Sequence, residues 1–192
     1  GKKIINTYSK ICSNFSTKYE FVFKFQYRDL ETFIRKDMKG NLNIPLIKRF
    51  SETKLDTEDF IELIEYCRKH QFGVMVTPFD EISVGKACEH KVDYLKIASC
   101  SFGDWPLIEK ISEYDKKVVA SCAGADLQTI DNVVSFFLNR KISFRLQHCV
   151  GEYPTKNENL NVNQVLLLKK KYPNLDIGFS SHENPEMNSI AP

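Results

Sequence analysis

The chain has 192 residues, 42% hydrophobic and 27% charged, enough for one domain, or one large piece of a bigger one, to bury a core without disulfides or metals. Its 27 basic and 25 acidic residues leave a net charge of +2, which carries no signal for nucleic acid or for a membrane surface. No apolar run approaches the ~18–20 residues a bilayer span requires, and Gly1-Lys2-Lys3 is followed by only two apolar residues, so no signal peptide is read and a cytoplasmic location is expected.

Taken in order, Ile4-Ile5, Tyr8 and Ile11-Cys12 recur at helical spacing and predict a helix over 3–15. A strand follows at 21–26. The charged stretch 27–55 is about twice the usual loop length, which marks it as functional or partly helical. Asp56, with Asp59 three residues on, caps a helix whose apolar face is Phe60, Ile61, Ile64 and Cys67. The next strand, 73–77, is stopped by Pro78. From there the rhythm repeats: helix 82–90, strand 94–99, helix 106–114, strand 117–121, helix 126–139, strand 143–148, helix 162–172, strand 176–180. Six strands separated by helices imply a parallel sheet with right-handed crossovers.

Such a sheet closes as an open doubly wound fold or as a (β/α)8 TIM barrel. No G-x-G-x-x-G follows any strand, which weakens the dinucleotide-binding form of the open sheet. Polar residues at the strand ends favour the barrel, whose active sites are built there. The chain starts on a helix and ends just after a strand, so the expected fold is α/β, an incomplete (β/α)8 barrel over 1–192 lacking its first and last strands.

Side chains two apart share a strand face. Lys24 and Gln26 therefore face one way and Phe23 and Phe25 the other, and Lys24, Gln26, Thr77, Lys96, Ser121, Ser180 and His182 are expected around one opening. A lysine inside a strand is costly unless it meets an anion or a carboxylate. Two of them among hydroxyls suit a small, multiply charged anion such as a phosphate ester with a carboxylate, although a lone strand lysine more often reaches solvent at an edge. His148 reads as a structural histidine satisfying backbone, Trp105 as a packing residue at a helix start, and Lys169-Lys170-Lys171 as a solvated helix end. The six cysteines form no C-x-x-C pair and read as reduced thiols. A zinc site from Cys100, Cys122 and Cys149 is the rival to their reading as small apolar fillers.

Five segments occur in order: Phe23-Lys24-Phe25-Gln26, Thr77-Pro78-Phe79-Asp80, Leu95-Lys96-Ile97-Ala98-Ser99, Leu146-Gln147-His148-Cys149 with Tyr153-Pro154-Thr155, and Gly178-Phe179-Ser180-Ser181-His182. From about residue 20 onward the chain resembles the sialic acid synthase (N-acetylneuraminate synthase) family. That resemblance implies a transferase that condenses phosphoenolpyruvate with an N-acetylated amino sugar, N-acetylmannosamine or a relative, to a 2-keto-3-deoxy sugar acid and phosphate. It assigns Lys24, Lys96, Ser99, Ser121 and Ser180 to phosphoenolpyruvate and has Gln26, Thr77 and Tyr153 line the site. It makes His182 one ligand of a divalent metal, Mn2+ or Mg2+, and implies a homodimer. The family's C-terminal antifreeze-like domain is not found in the chain. Departures from the family pattern stand at Cys100-Ser101, Cys122-Ala123, Gly151 and Ser181, and they bear on the sugar more than on phosphoenolpyruvate. Two rivals remain: a class I aldolase with Lys96 as Schiff-base nucleophile, and a non-catalytic barrel that binds a sugar or a protein.

Overall fold

In the computed structural model, which describes residues 1–184, helices start where aspartates stand. Asp29, Asp80, Asp104 and Asp126 each accept a hydrogen bond from the backbone N–H three residues on, and Asp56 and Asp59 form a capping box. Each cap satisfies donors that the first helical turn leaves open.

The chain divides into two compact units, Gly1–Leu95 and Lys96–Pro192. The first holds α1 (Lys2–Cys12), β1 (Val22–Tyr27), α2 (Leu30–Phe33), α3 (Pro45–Glu52), α4 (Thr57–Lys69), β2 (Gly73–Pro78) and α5 (Glu81–Glu89), and β3 (Tyr94–Ile97) lies at its end. The stretch 27–55 is thus partly helical, as its length required. β1 pairs in parallel with β2 from Val22↔Gly73 to Tyr27↔Pro78, and β2 pairs with β3 through Met75↔Tyr94 and Val76↔Leu95. The alternation in β1 falls as predicted: Phe23 packs on Phe72 and Tyr8, and Phe25 on Phe60.

The second unit holds α6 (Trp105–Ser112), β4 (Lys117–Ser121), α7 (Leu127–Asn139), β5 (Phe144–Cys149), α8 (Asn163–Lys171) and β6 (Asp176–Ser180). β4, β5 and β6 run parallel, with Ser121 opposite Gln147 and Gln147 opposite Gly178. Val118, Ala120, Phe144 and Leu146 turn to the helix layer, where Phe137 stacks on Phe144 at 4.7 Å. Trp105 packs on Phe136, and Lys171 pairs with Asp131 while the end of α8 stays exposed. Among the described residues β1 and β6 each have a strand on one side only, and no helix is long and apolar enough to cross a membrane.

Several boundaries shift by one or two residues from the sequence expectation; Pro78, expected to stop its strand, is the last residue of β2, and two other shifts have a visible cause. β3 stops at Ile97, because the carbonyls of Ala98 and Ser99 bend into a tight turn and accept from Ser101 and Phe102; Ser99 therefore sits on a turn and not in the strand. The helix predicted over 3–15 is α-helical to Cys12 and tightens to a 3-10 turn over Ser13–Phe15. Three helices also end alike without glycine. Gln71, Lys91 and Lys141 stand at φ +62°, +55° and +57°. After α4, α5 and α7 the following apolar residue (Phe72, Val92, Ile142) donates back to Cys67, Ala87 and Phe137. That is the Schellman closure, in which a side chain bears a left-handed backbone that glycine adopts at no steric cost.

Candidate active site

The second unit brings most of the predicted site together. Lys96 is buried, and its Nζ donates to Ser121 Oγ. Ser121 Oγ in turn donates to Gln147 Oε1 at 3.4 Å, and Gly178, next in register, leaves the Gln147 side chain uncovered on that flank. The result is a row of one ammonium, one hydroxyl and one carboxamide across the C-terminal ends of neighbouring strands. Ser99 Oγ accepts from the Ala123 N–H at 3.3 Å, which ties the turn after β3 to the loop after β4. Ser180, opposite Cys149, lies on the same sheet face as Gly178. An ammonium, hydroxyls and a carboxamide at neighbouring strand ends are groups that an anionic substrate can meet by charge-assisted hydrogen bonds.

Beyond β5 the chain folds around Glu152, whose carboxylate accepts from the Lys156 N–H and from Asn159 and is held below the usual carboxylate range by those bonds. The Thr155 N–H donates to the His182 carbonyl at 2.8 Å, fastening this loop to the end of β6. His182 Nδ1 lies 3.1 Å from the Val150 carbonyl and 3.7 Å from Cys149 Sγ, and the exposed Tyr153 ring lies over the imidazole at 4.0 Å. With Nδ1–H donating to a carbonyl, Nε2 keeps its lone pair, the tautomer that a metal ligand needs. One imidazole is not a site, however, and among the described residues no three His, Cys, Asp or Glu side chains converge. The residues described thus supply one donor and do not by themselves fit a divalent cation.

The same finding bears on the zinc reading. Cys100, Cys122 and Cys149 do not form a ligand group; Cys122 donates its thiol to the Gln147 carbonyl, and burial pushes that thiol up to about 11. His148 lies on the helix side, with Nε2 2.9 Å from the Leu160 carbonyl and its ring stacked on Phe179, a structural histidine as its pattern indicated.

In the first unit Lys24, Gln26, Met75 and Thr77 share one sheet face by register. Lys24 and Gln26 are exposed, and the surrounding protein, together with the Arg28 guanidinium, lowers the Lys24 ammonium from its ordinary value. Thr77 is buried, and its hydroxyl has no hydrogen-bond partner among the described residues. An unmet buried hydroxyl costs about 1–3 kcal/mol, a cost relieved when a ligand or water supplies the bond.

Two residues of this setting were not legible beforehand. Gln147 sits in the His-Cys segment, where the neighbouring histidine draws attention, and only the register shows it bonded to Ser121. Arg28 opens a charged stretch with no periodic signal. Its guanidinium carbon lies 3.9 Å from the Phe79 ring centre, 4.5 Å from Phe50 and 6.0 Å from Phe33, and Nη2 donates to Gln26 Oε1 at 3.0 Å.

Comparison with known proteins bears on the fold and the family. The crystal structure of a Chromobacterium violaceum ATCC 12472 protein assigned as spore coat polysaccharide biosynthesis protein E superposes with a TM-score of 0.93 at 42% identity, over 98% of this chain and 56% of that one. An uncharacterised protein of Methanocaldococcus jannaschii is 32% identical over 83% of this chain and 45% of its own length. The N-acetylneuraminate-9-phosphate synthase of Drosophila melanogaster is 26% identical over 66% of this chain and 34% of its own. The chain thus spans half or less of the length of these two curated relatives. The expected fold, α/β of the partial (β/α)8 type, stands with these likenesses. The pattern of the NeuB family matches residues 16–191, nearly the whole chain, and on that match the chain belongs to the NeuB family of sialic acid synthases.

Proposed function

We propose that the intact protein condenses phosphoenolpyruvate with an N-acylated amino sugar, N-acetylmannosamine or a relative, to give a 2-keto-3-deoxy sugar acid and phosphate. Family membership supports the reaction class, and the observation that carries the reading at the residue level is the buried Lys96 ammonium donating to Ser121 in the row that ends at Gln147. In this reaction the methylene carbon of phosphoenolpyruvate forms a bond to the open-chain sugar aldehyde. Water adds to the resulting cationic carbon, and the C–O bond to phosphate breaks.

The chain's own residues bind and orient. Lys96 neutralises an anionic oxygen of phosphoenolpyruvate, and the hydroxyls of Ser99, Ser121 and Ser180 hydrogen-bond to the same substrate. On the first unit Lys24, Gln26 and Thr77 are the proposed substrate contacts, and Tyr153 borders the site of His182. A divalent cation, Mn2+ or Mg2+, would polarise the aldehyde; His182 Nε2 is the one ligand proposed from these residues, with the remainder outside those described. We further propose a homodimer and a cytoplasmic location, in keeping with a biosynthetic enzyme.

Phosphate release from phosphoenolpyruvate that depends on the amino sugar tests the reading. Borohydride trapping of a pyruvate adduct on Lys96 would replace it with the class I aldolase, and the lack of any turnover with retained sugar binding would replace it with the non-catalytic barrel.

A further inference from the structure

Within the first unit, Lys24, Gln26 and Arg28 occupy alternate positions along and just past β1. Arg28 is not free to wander. The ring centres of Phe33, Phe50 and Phe79 lie within 6.0 Å of its guanidinium carbon, and two of these rings come from α2 and α3, the short helices after β1. These rings also pack on one another, with Phe33 5.8 Å from Phe50 and 6.1 Å from Phe79. A cavity of about 50 Å3 lined in part by Gln26, Arg28, Phe50 and Lys54 adjoins them. Cation–π attraction to these rings holds the guanidinium in place, and its Nη2 donates to Gln26 Oε1.

The chemistry of that contact decides which way the Gln26 amide faces. Arginine has five N–H donors and no acceptor, so the atom it meets must be Oε1, and the Nε2 amide hydrogens of Gln26 are turned the other way. Left alone, an exposed glutamine amide is free to flip and offers a ligand either a donor or an acceptor.

We propose that Arg28 is a positioning residue that fixes Gln26 as a hydrogen-bond donor, so that the substrate group Gln26 reads is an acceptor, a carbonyl oxygen such as that of an N-acyl group. This rests on the proposed function for the role of Gln26, while the Arg28–Gln26 pairing stands apart from it. A residue that only staples the loop would be replaceable by any side chain of equal bulk; a positioning residue is replaceable only by another pure donor.

The test uses the intact protein with phosphoenolpyruvate and N-acetylmannosamine. Arg28→Met keeps the packing and removes the donor; it raises the KM for the sugar by about two- to fivefold, the cost of ordering a freed amide again, while the KM for phosphoenolpyruvate is unchanged. Arg28→Lys, which still only donates, recovers most of the loss. Gln26→Glu, which keeps an oxygen for Arg28 but has no amide hydrogens, is impaired further than Arg28→Met, by about tenfold or more, the worth of one hydrogen bond. Equal changes in both KM values, or a Gln26→Glu enzyme with an unchanged KM for the sugar, overturns the proposal. A second readout needs no turnover: the carboxamide carbon resonance of Gln26 in ligand-free protein moves upfield in Arg28→Met as its carbonyl loses the guanidinium. An unmoved resonance overturns the pairing. A wild-type protein that turns over no substrate refutes the proposed function, and the spectrum then decides the pairing alone.

Discussion

Lys96→Met separates an anion-binding lysine from a structural one. Lys96 is 8% exposed, and its Nζ donates to a neutral hydroxyl, that of Ser121. Methionine has similar length and no charge, and Ser121 keeps Gln147 as a partner. In the ligand-free protein the urea midpoint therefore reads what the ammonium's own contacts contribute to the fold. Binding reads its other role. A charge-assisted contact to an anionic oxygen is worth about 1.5–3 kcal/mol, so the dissociation constant for phosphoenolpyruvate should rise about 10- to 150-fold. Titration calorimetry with phosphoenolpyruvate, paired with urea unfolding of the same variant, reads both quantities. A variant that loses stability but binds phosphoenolpyruvate as tightly as wild type would show that Lys96 serves the fold, and the site assignment would fall.

His148→Ala leaves the Leu160 carbonyl without its ring nitrogen and removes the stack on Phe179; it should cost about 1–3 kcal/mol in urea unfolding with phosphoenolpyruvate affinity unchanged, and weakened binding without destabilisation would contradict its structural role. Lys141→Gly relieves a side chain at φ +57° and should stabilise by about 1 kcal/mol; a loss of stability would mean that the lysine side chain contributes more than its backbone strain costs. The Lys86 hydrogen bond holds Asp29 below the usual carboxylate range. A depressed acid contributes stability above its unfolded pKa of about 3.9 and loses it as pH falls through the lower folded value. With Lys86 45% exposed, Lys86→Met should cost at most about 1 kcal/mol at pH 7 and nothing at pH 2, and an equal cost at both pH values would rule out the ion pair as its origin. Burial pushes the thiols of Cys67 and Cys122 up to about 11, leaving about one thiolate in a thousand at pH 8; a thiol-disulfide reagent should modify the exposed Cys100 well before either, and equal rates at Cys100 and Cys122 would refute that ordering.

Local chemistry explains which parts of this molecule were readable from its sequence. Aspartate caps and apolar alternation act within a few residues, so the βα rhythm and the two faces of β1, with Phe23 outward and Lys24 opposite, followed from spacing. The end of β3 did not, because Ser99 leaves the strand through turn hydrogen bonds that Ser-Cys-Ser does not advertise. The ends of α5 and α7 were read to within one residue without the usual glycine cue for a left-handed cap, which Lys91 and Lys141 replace. Of the site, Lys96 and Ser121 were visible as polar residues at strand ends. Their contact, and the extension to Gln147, depend on register between strands far apart in sequence. Arg28 was hidden because its partners Phe33, Phe50 and Phe79 stand on α2, on α3 and after β2, three separate places in the chain that no single period connects.

The most direct test of the central claim is the mass of the product formed by the intact protein from phosphoenolpyruvate, N-acetylmannosamine and Mn2+, measured together with the phosphate released. The proposed reaction requires a product with the mass of the sugar plus pyruvic acid, one phosphate released for each product formed, and no product when pyruvate replaces phosphoenolpyruvate. Product formed from pyruvate but not from phosphoenolpyruvate, or phosphate release that does not depend on the sugar, would contradict it.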